Sequence, residues 1–250
     1  MKKNLLIFLS IIALFLQSCY EEPSITADHI IDKAITAHGS NLLEQSVMEF
    51  NFRGVEYKSM RDNGIYEFTR SDLTDSTTVV DLLANQTKLR TINGVRQQVV
   101  DSLMNSYASS LNSVIYFAQL PYSLDGAAVY REFLGEKTIK NQSYYKVKIT
   151  FDPKGGGEDY EDEFIYWIHQ DNFLIDYLAY SYCEEDCGYR FRESVNRRKK
   201  NGIIVQDYNN YKELIQDPNL SHMDQLFIDG KLELLSEINI DDVVITLKNG

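Results

Sequence analysis

From Val47 onward, apolar and polar residues alternate with period two in one short run after another, which restricts the chain to antiparallel β architecture with few helices. Met48, Phe50 and Phe52 alternate with Glu49, Asn51 and Arg53. The phase slips at Gly54, before Val55 and Tyr57 continue it, and a glycine at a phase slip suggests a β-bulge. Asp62-Asn63-Gly64 reads as a turn into a return strand over 65–70. Further strands are expected at 77–83, 88–92 and 96–100, with Asn93-Gly94 as a hairpin turn between the last two. The alternation resumes at 130–133. It continues where Tyr145, Val147, Ile149 and Phe151 face away from Tyr144, Lys146, Lys148 and Thr150, and then at 164–168, 175–182, 189–192, 203–208, 232–238 and 243–247.

Two segments break the pattern with helical spacing. Ile30, Ile31, Ala34 and Ile35 form one apolar face of a helix over 27–38, with Thr26 or Asp28 at its start and Gly39 at its stop. Leu103, Tyr107, Leu111, Val114, Ile115 and Ala118 define a second helix, ended by Pro121. Ser221 to Asp224 has the form of a capping box opening a third, short helix. The chain shows no repeat and no long linker. The expectation is an α+β fold, a curved antiparallel half-barrel sheet wrapped around two or three helices, with residues 27–250 as one domain.

The N-terminus carries an address. Lys2-Lys3 precede an apolar run from Leu5 to Leu16, followed by Gln17-Ser18-Cys19. This is the anatomy of a secretory signal, and the run is too short for a bilayer span, which takes about 20 residues. A cysteine directly after the small residue resembles the lipobox of bacterial lipoproteins. The resemblance implies a signal over 1–18, lipidation of Cys19 and a tether over 19–26. The mature chain would then be lipid-anchored in the cell envelope, facing the periplasm or the cell surface. Glu21-Glu22 after the cysteine resemble a surface-export signal in outline. The formal net charge of −12 argues against nucleic acid as a partner and against adsorption to anionic lipid heads. The membrane, through the anchor, and a lipid or another lipoprotein are the expected partners.

Few side chains suggest chemistry. Glu158, Asp159, Glu161, Asp162 and Glu163 follow three glycines, but their spacing does not fit a calcium loop, and a solvated hairpin loop accounts for them. Arg190 and Arg192 are two apart on a strand and so share a face. With Tyr180 and Tyr182 on the neighbouring strand they are candidates to hold a carboxylate or phosphate at a pocket mouth, and pairing with the acidic loop or Asp176 is the competing role. Arg197-Arg198-Lys199-Lys200 read as an exposed hairpin tip. Cys183 and Cys187 can form a disulfide, stay free or hold a metal; the metal signal is weak without a second pair. The histidines lack metal spacing, and no nucleophile elbow or phosphate loop occurs. No cofactor is implied. Trp167 is expected in the core.

The order of elements resembles the lipoprotein-carrier fold of LolA and LolB, an open half-barrel with an apolar cavity. Five segments are similar to an uncharacterised family of Bacteroidota lipoproteins: residues 112–122 (NSVIYFAQLPY), 155–168, 177–182 (YLAYSY), 188–192 (GYRFR) and 206–211 (QDYNNY). That family often has histidine at the position of Tyr160 and usually lacks the pair Cys183 and Cys187. The reading is a non-enzymatic, lipid-anchored protein that binds an apolar or amphiphilic ligand, a lipid or acyl chain, on a concave sheet. Two alternatives stand beside it. An interaction or sensor module would have a filled core. A hydrolase or lyase would bring Asp159 or Asp162 within hydrogen-bond reach of Arg190 or Arg192 in a cleft.

Overall fold

A computed structural model describes residues 25–155, 160–183, 187–214 and 219–248, without the side chain of Cys183. The signal, Cys19, Glu158 and Asp159 lie outside the described residues. The chain begins with α1 (Ala27–His38) and a 3-10 turn at Ser40–Glu44. Six strands follow: β1 (Gln45–Phe52), β2 (Val55–Asp62), β3 (Ile65–Leu73), β4 (Thr78–Ala84), β5 (Thr87–Ile92) and β6 (Val95–Arg96). After α2 (Asp101–Gln119) come β7 (Val129–Ile139), β8 (Gln142–Phe151), β9 (Phe164–His169), β10 (Ile175–Cys183), β11 (Cys187–Lys200) and β12 (Ile203–Glu213). A short helix α3 (Met223–Ile228) precedes β13 (Leu232–Ile238) and β14 (Asp241–Leu247).

The strands form two seven-stranded antiparallel sheets, ordered β14-β1-β2-β3-β4-β5-β6 and β13-β12-β11-β10-β9-β8-β7. The expected α+β half-barrel is thus assembled from two sheets that do not close. They are tied where the chain passes from β13 to β14: Ile240 N–H donates to Asp207 Oδ1 at 3.1 Å, Asn201 Nδ2 donates to Ile245 O at 2.6 Å, and Arg198 donates to Ile240 O.

Each inner face carries one helix. Ala108, Leu111 and Ile115 of α2 bury against Met48, Phe50, Tyr57, Phe68 and Leu83 of the first sheet. Ile30, Ile31 and Ala34 of α1 bury against Val147, Ile149, Tyr166, Ile168, Ile175 and Leu178 of the second. The outer face of the second sheet is covered too. Trp167, Tyr177 and Phe191 pack beneath Met223 and Leu226 of α3, and Trp167 Nε1 donates to Asp224 Oδ2 at 3.2 Å. Alternate residues of β9 therefore serve two cores, which is why Phe164 to Ile168 are all buried.

The N-terminal helix is fixed at both ends. Thr26 Oγ1 accepts from His29 N–H at 3.2 Å, and Gly39 closes the helix at φ 65°. A Cβ on Gly39 would lie 2.4 Å from Gly202 O, so glycine is required there both by conformation and by space.

Several local readings change. Gly54 is not a bulge: Arg53 and Gly54 both adopt positive φ, 54° and 80°, and make the two-residue hairpin turn between β1 and β2. The strand expected over 96–100 shrinks to the two residues of β6. Arg197 and Arg198 are not a free hairpin tip. Arg197 pairs with Asp176 at 2.6 Å and Arg198 with Asp207 at 3.0 Å, because the β11–β12 hairpin lies against α1 and β14 rather than in solvent. The capping box does not form as expected: Asn219, not Asp224, caps Ser221 N–H, and Asp224 turns inward to Trp167 and Lys146.

His38 is fully buried at the end of α1, where its Nε2 accepts from Ile175 N–H at 3.0 Å. Accepting there requires the neutral ring. Burial, helped by the charge of Arg197, lowers its pKa from 6.5 to about 3. Protonation therefore favours the unfolded chain. This contribution to stability is complete above pH 6.5 and is lost as pH falls from there towards 3, at about 1.4 kcal/mol per pH unit. Replacing His38 with Gln should make the acid loss of unfolding free energy shallower between pH 6 and pH 4 in urea titrations. Superimposable pH profiles of the two proteins would contradict this.

Candidate functional site

The two helices do not cover everything the sheets enclose. At its C-terminal end α2 stays on the first sheet through Gln119, which accepts from Arg61, while its other side turns aromatic residues toward the second sheet. Tyr116 Oη lies 2.8 Å from Tyr166 Oη, and the Phe117 ring lies 5.1 Å from Tyr180 and 6.2 Å from Phe164. The segment over 120–128 then leads to β7. Between this corner and the inner face of β8 to β13 lies a cavity of about 740 Å³. Its walls include Phe117, Leu124, Val129, Phe151, Phe164 and Tyr180, with Phe52 and Ile240 closing it from the side of the first sheet. The aromatic wall is continuous: Phe151 meets Phe164 edge-on at 5.8 Å, and Phe164 stacks on Tyr180 at 5.5 Å.

All four candidate ligand-binding residues, Tyr180, Tyr182, Arg190 and Arg192, line this cavity. Strand register explains the grouping. Tyr180 pairs with Arg190, Leu178 with Arg192, and Tyr182 with Gly188, so alternate side chains on β10 and β11 share the inner face. The missing side chain of Gly188 gives Tyr182 room, since a Cβ there would lie 2.7 Å from its hydroxyl. The Arg190 guanidinium sits 4.7 Å from the Tyr182 ring centre.

Arg192 is the unusual member. It is only 8% exposed. Its guanidinium carbon lies 3.8 Å from the ring centre of Phe117 and 5.0 Å from that of Tyr180, and its Nη2 donates to Tyr180 Oη at 2.8 Å. Its Nε has no partner, and among the described residues no carboxylate pairs with it. Several arginines elsewhere are paired with carboxylates, whereas Arg61 bonds to the amide oxygen of Gln119. Asp81 takes Arg70 and Arg90, Asp28 takes Arg131, and Asp176 takes Arg197. An arginine cannot shed its charge, and a buried unpaired cation is costly; the aromatic faces around it return only part of that cost.

The neighbouring hydroxyls remain protonated donors. Burial raises the pKa values of Tyr116, Tyr166 and Tyr208 above the ordinary tyrosine value. Tyr208 Oη accepts from Gln206 Nε2 at 2.8 Å, as Tyr180 Oη accepts from Arg192, and both keep their own proton to donate.

The other sequence candidates fall elsewhere. Asp162 lines the cavity, but neither Arg190 nor Arg192 forms an ion pair with it. Glu163 is held by Lys148 at 2.7 Å, and Glu161 accepts from Tyr160. Among the described residues no three His, Cys, Asp or Glu side chains gather as a metal site. Cys187 is disulfide-bonded, and the backbone of Cys183 faces it in cross-strand register. No helix among the described residues is long and apolar enough to cross a membrane. Tyr116, Phe117, Phe164, Gln206 and Tyr208 were not expected in a site. The one signal for the first two was an aromatic pair off the narrow apolar face of α2, just before Pro121.

An antiparallel half-barrel with helices on its concave side and a cavity at their edge defines the LolA-like class of folds. Residues 2–240 match the Family of unknown function (DUF6503), and the chain belongs to that family. Among solved structures it is similar to a DUF1329 family protein from Desulfovibrio piger, with 13% identity, TM-score 0.52, and coverage of 91% of this chain and 96% of that one. It is also similar to a LolA superfamily protein from Nitrosomonas europaea, with 12% identity, TM-score 0.50, and coverage of 90% and 95%. These likenesses concern the fold. No curated protein matches the chain.

The energetics of Arg192 can be read directly. Replacing Arg192 with Met should leave the unfolding free energy of the ligand-free protein within about 1 kcal/mol, or raise it, because no carboxylate is orphaned, the half-buried Tyr180 hydroxyl loses one donor and a desolvated charge is removed. A loss above about 3 kcal/mol in denaturant titration would mean that the guanidinium is paired after all.

Proposed function

We propose that this is a lipid-anchored cell-envelope protein that holds an apolar or amphiphilic ligand, a lipid or acyl chain, in the cavity between α2 and the second sheet. The observation that carries the reading is the cavity itself. At about 740 Å³ it falls within the usual range for small-molecule sites, roughly 300–1,000 Å³, and its walls are mainly aromatic and aliphatic. All five segments that resemble the Bacteroidota lipoproteins contribute to it: Tyr116 and Phe117, Gly155 and Phe164, Tyr180 and Tyr182, Arg190 and Arg192, and Gln206 and Tyr208. An interaction module would have filled this space with its own side chains. A carboxylate–arginine enzyme would have joined Asp159 or Asp162 to Arg190 or Arg192; Asp162 forms no ion pair with either, and Asp159 lies outside the described residues.

The proposal takes residues 1–18 as a removed signal, Cys19 as the lipidated residue, 19–26 as the tether and 27–250 as the ligand-binding domain. Cys183 is proposed as the disulfide partner of Cys187, closing the loop between β10 and β11. Such a bond fits an oxidising compartment outside the cytoplasm. The proposed role is binding and carriage, without catalysis or cofactor. The partners are the membrane, through the anchor, and a lipid or another lipoprotein.

Native mass spectrometry of the purified protein should reveal a co-purifying lipid adduct. Ala128→Trp, which projects an indole from the 120–128 segment into the cavity, should reduce that adduct at least fivefold while leaving the circular dichroism spectrum unchanged. Equal adducts in both proteins would put the ligand elsewhere. Cys19→Ser should move the protein from the membrane fraction to the soluble fraction, and continued pelleting with membranes would remove the anchor from the proposal.

A further inference from the structure

We infer that the ligand of this cavity is an anionic amphiphile whose carboxylate or phosphate head is held by Arg192. This rests on the proposal that the cavity binds an amphiphile, and adds the chemistry of its head group. The charge balance points the same way as the geometry. The chain has a formal net charge of −12, and among the described residues the cavity lining contains two arginines, Arg190 and Arg192, and one carboxylate, Asp162.

Arg192 provides the specific contact. It is more than nine-tenths buried, it borders the hollow, and its Nε–H has no acceptor. The hydroxyl of Tyr180 touches the guanidinium, and the ring of Tyr208 is centred 5.9 Å from the guanidinium carbon; each hydroxyl has a proton left to donate. A buried guanidinium with an unused N–H, beside a tyrosine hydroxyl that can donate, favours an oxyanion and offers less to a neutral alcohol or ester head. The ring of Phe117 covers one face of the guanidinium, which leaves its N–H edge for the ligand and keeps the acyl chain on aromatic surface. A carboxylate and a phosphate monoester share this chemistry, so the experiment separates them.

The test uses the mature full chain released from phosphatidylcholine nanodiscs, offered an equimolar mixture of palmitate, hexadecyl phosphate and hexadecanol and read by native mass spectrometry. At least one anion should exceed hexadecanol in adduct intensity by tenfold or more, and the larger of the two anionic adducts identifies the head group. Arg192→Gln should bring the anion-to-alcohol ratio to about one while hexadecanol still binds. Arg192→Lys should retain part of the preference, and Arg192→Met serves in place of the glutamine variant if that one does not fold. Equal uptake of all three compounds by the unmutated protein, or an anion preference that survives Arg192→Gln, would overturn the inference and leave the cavity reading standing. Absence of every adduct would instead overturn the cavity reading on which it rests.

Discussion

Coverage is the constraint from which the architecture follows. Seven strands about 4.8 Å apart span roughly 29 Å, whereas one helix is about 10 Å wide and shields two or three strands. Each sheet of this protein has one helix on its inner face. The twelve residues of α1 make a rod about 18 Å long, and α2 spends most of its length on the first sheet. The inner face of the second sheet is therefore left partly uncovered beside the end of α2, and that shortfall is the cavity. The same face cannot simply open to water, because its residues there are Phe151, Phe164 and Tyr180.

The two faces of the second sheet solve different problems. The outer face is sealed by α3 into a dry core around Trp167 and Phe191, and its charges are matched locally, as Asp224 is by Lys146 at 3.2 Å. The inner face keeps a guanidinium without a carboxylate and hydroxyls with protons to give. The first sheet shows what the protein does when a charge serves only structure. Asp81 would be pushed up by burial, but hydrogen bonds from Arg90 and Arg70 hold it below the usual carboxylate range. The fold that builds this three-membered cluster leaves the Arg192 Nε–H, at the cavity, without an acceptor.

Much of the fold was legible from period and punctuation. The bounds of α1 follow from Thr26 and Gly39, and the hairpins at Asn63-Gly64 and Asn93-Gly94 from their turn chemistry. Arg53-Gly54 was misread because arginine is an unusual residue at positive φ, so the turn looked like a slip in one strand. The division into two sheets was not legible, since hairpin alternation is the same within a sheet and across a break. For the site, strand parity was enough to group Tyr180 and Tyr182 with Arg190 and Arg192. It could not bring in Phe117, Phe164 or Tyr208, whose approach depends on where a helix end lands on a distant sheet. The same lack of tertiary context made Arg197 and Arg198 look like solvent-exposed charges, when their partners Asp176 and Asp207 lie on strands either side of their own.

The docking of α1 has a consequence for how the chain comes together in time. Its apolar face packs on Val147, Ile149, Tyr166 and Ile175, Asp28 reaches Arg131, and Gly39 abuts Gly202. His38 and its partner Ile175 are 137 residues apart. At about 5–20 residues per second, a ribosome takes roughly 7–27 s to cover that interval. Strands β2 to β6 pair only with their sequential neighbours and can zip as they emerge, with β1 joined on one edge and waiting for β14 on the other, whereas the helix that precedes them has nothing to settle on until the second sheet exists. A helix made before every strand is thus among the last elements to find its seat, with Ile30, Ile31 and Ile35 uncovered throughout the wait.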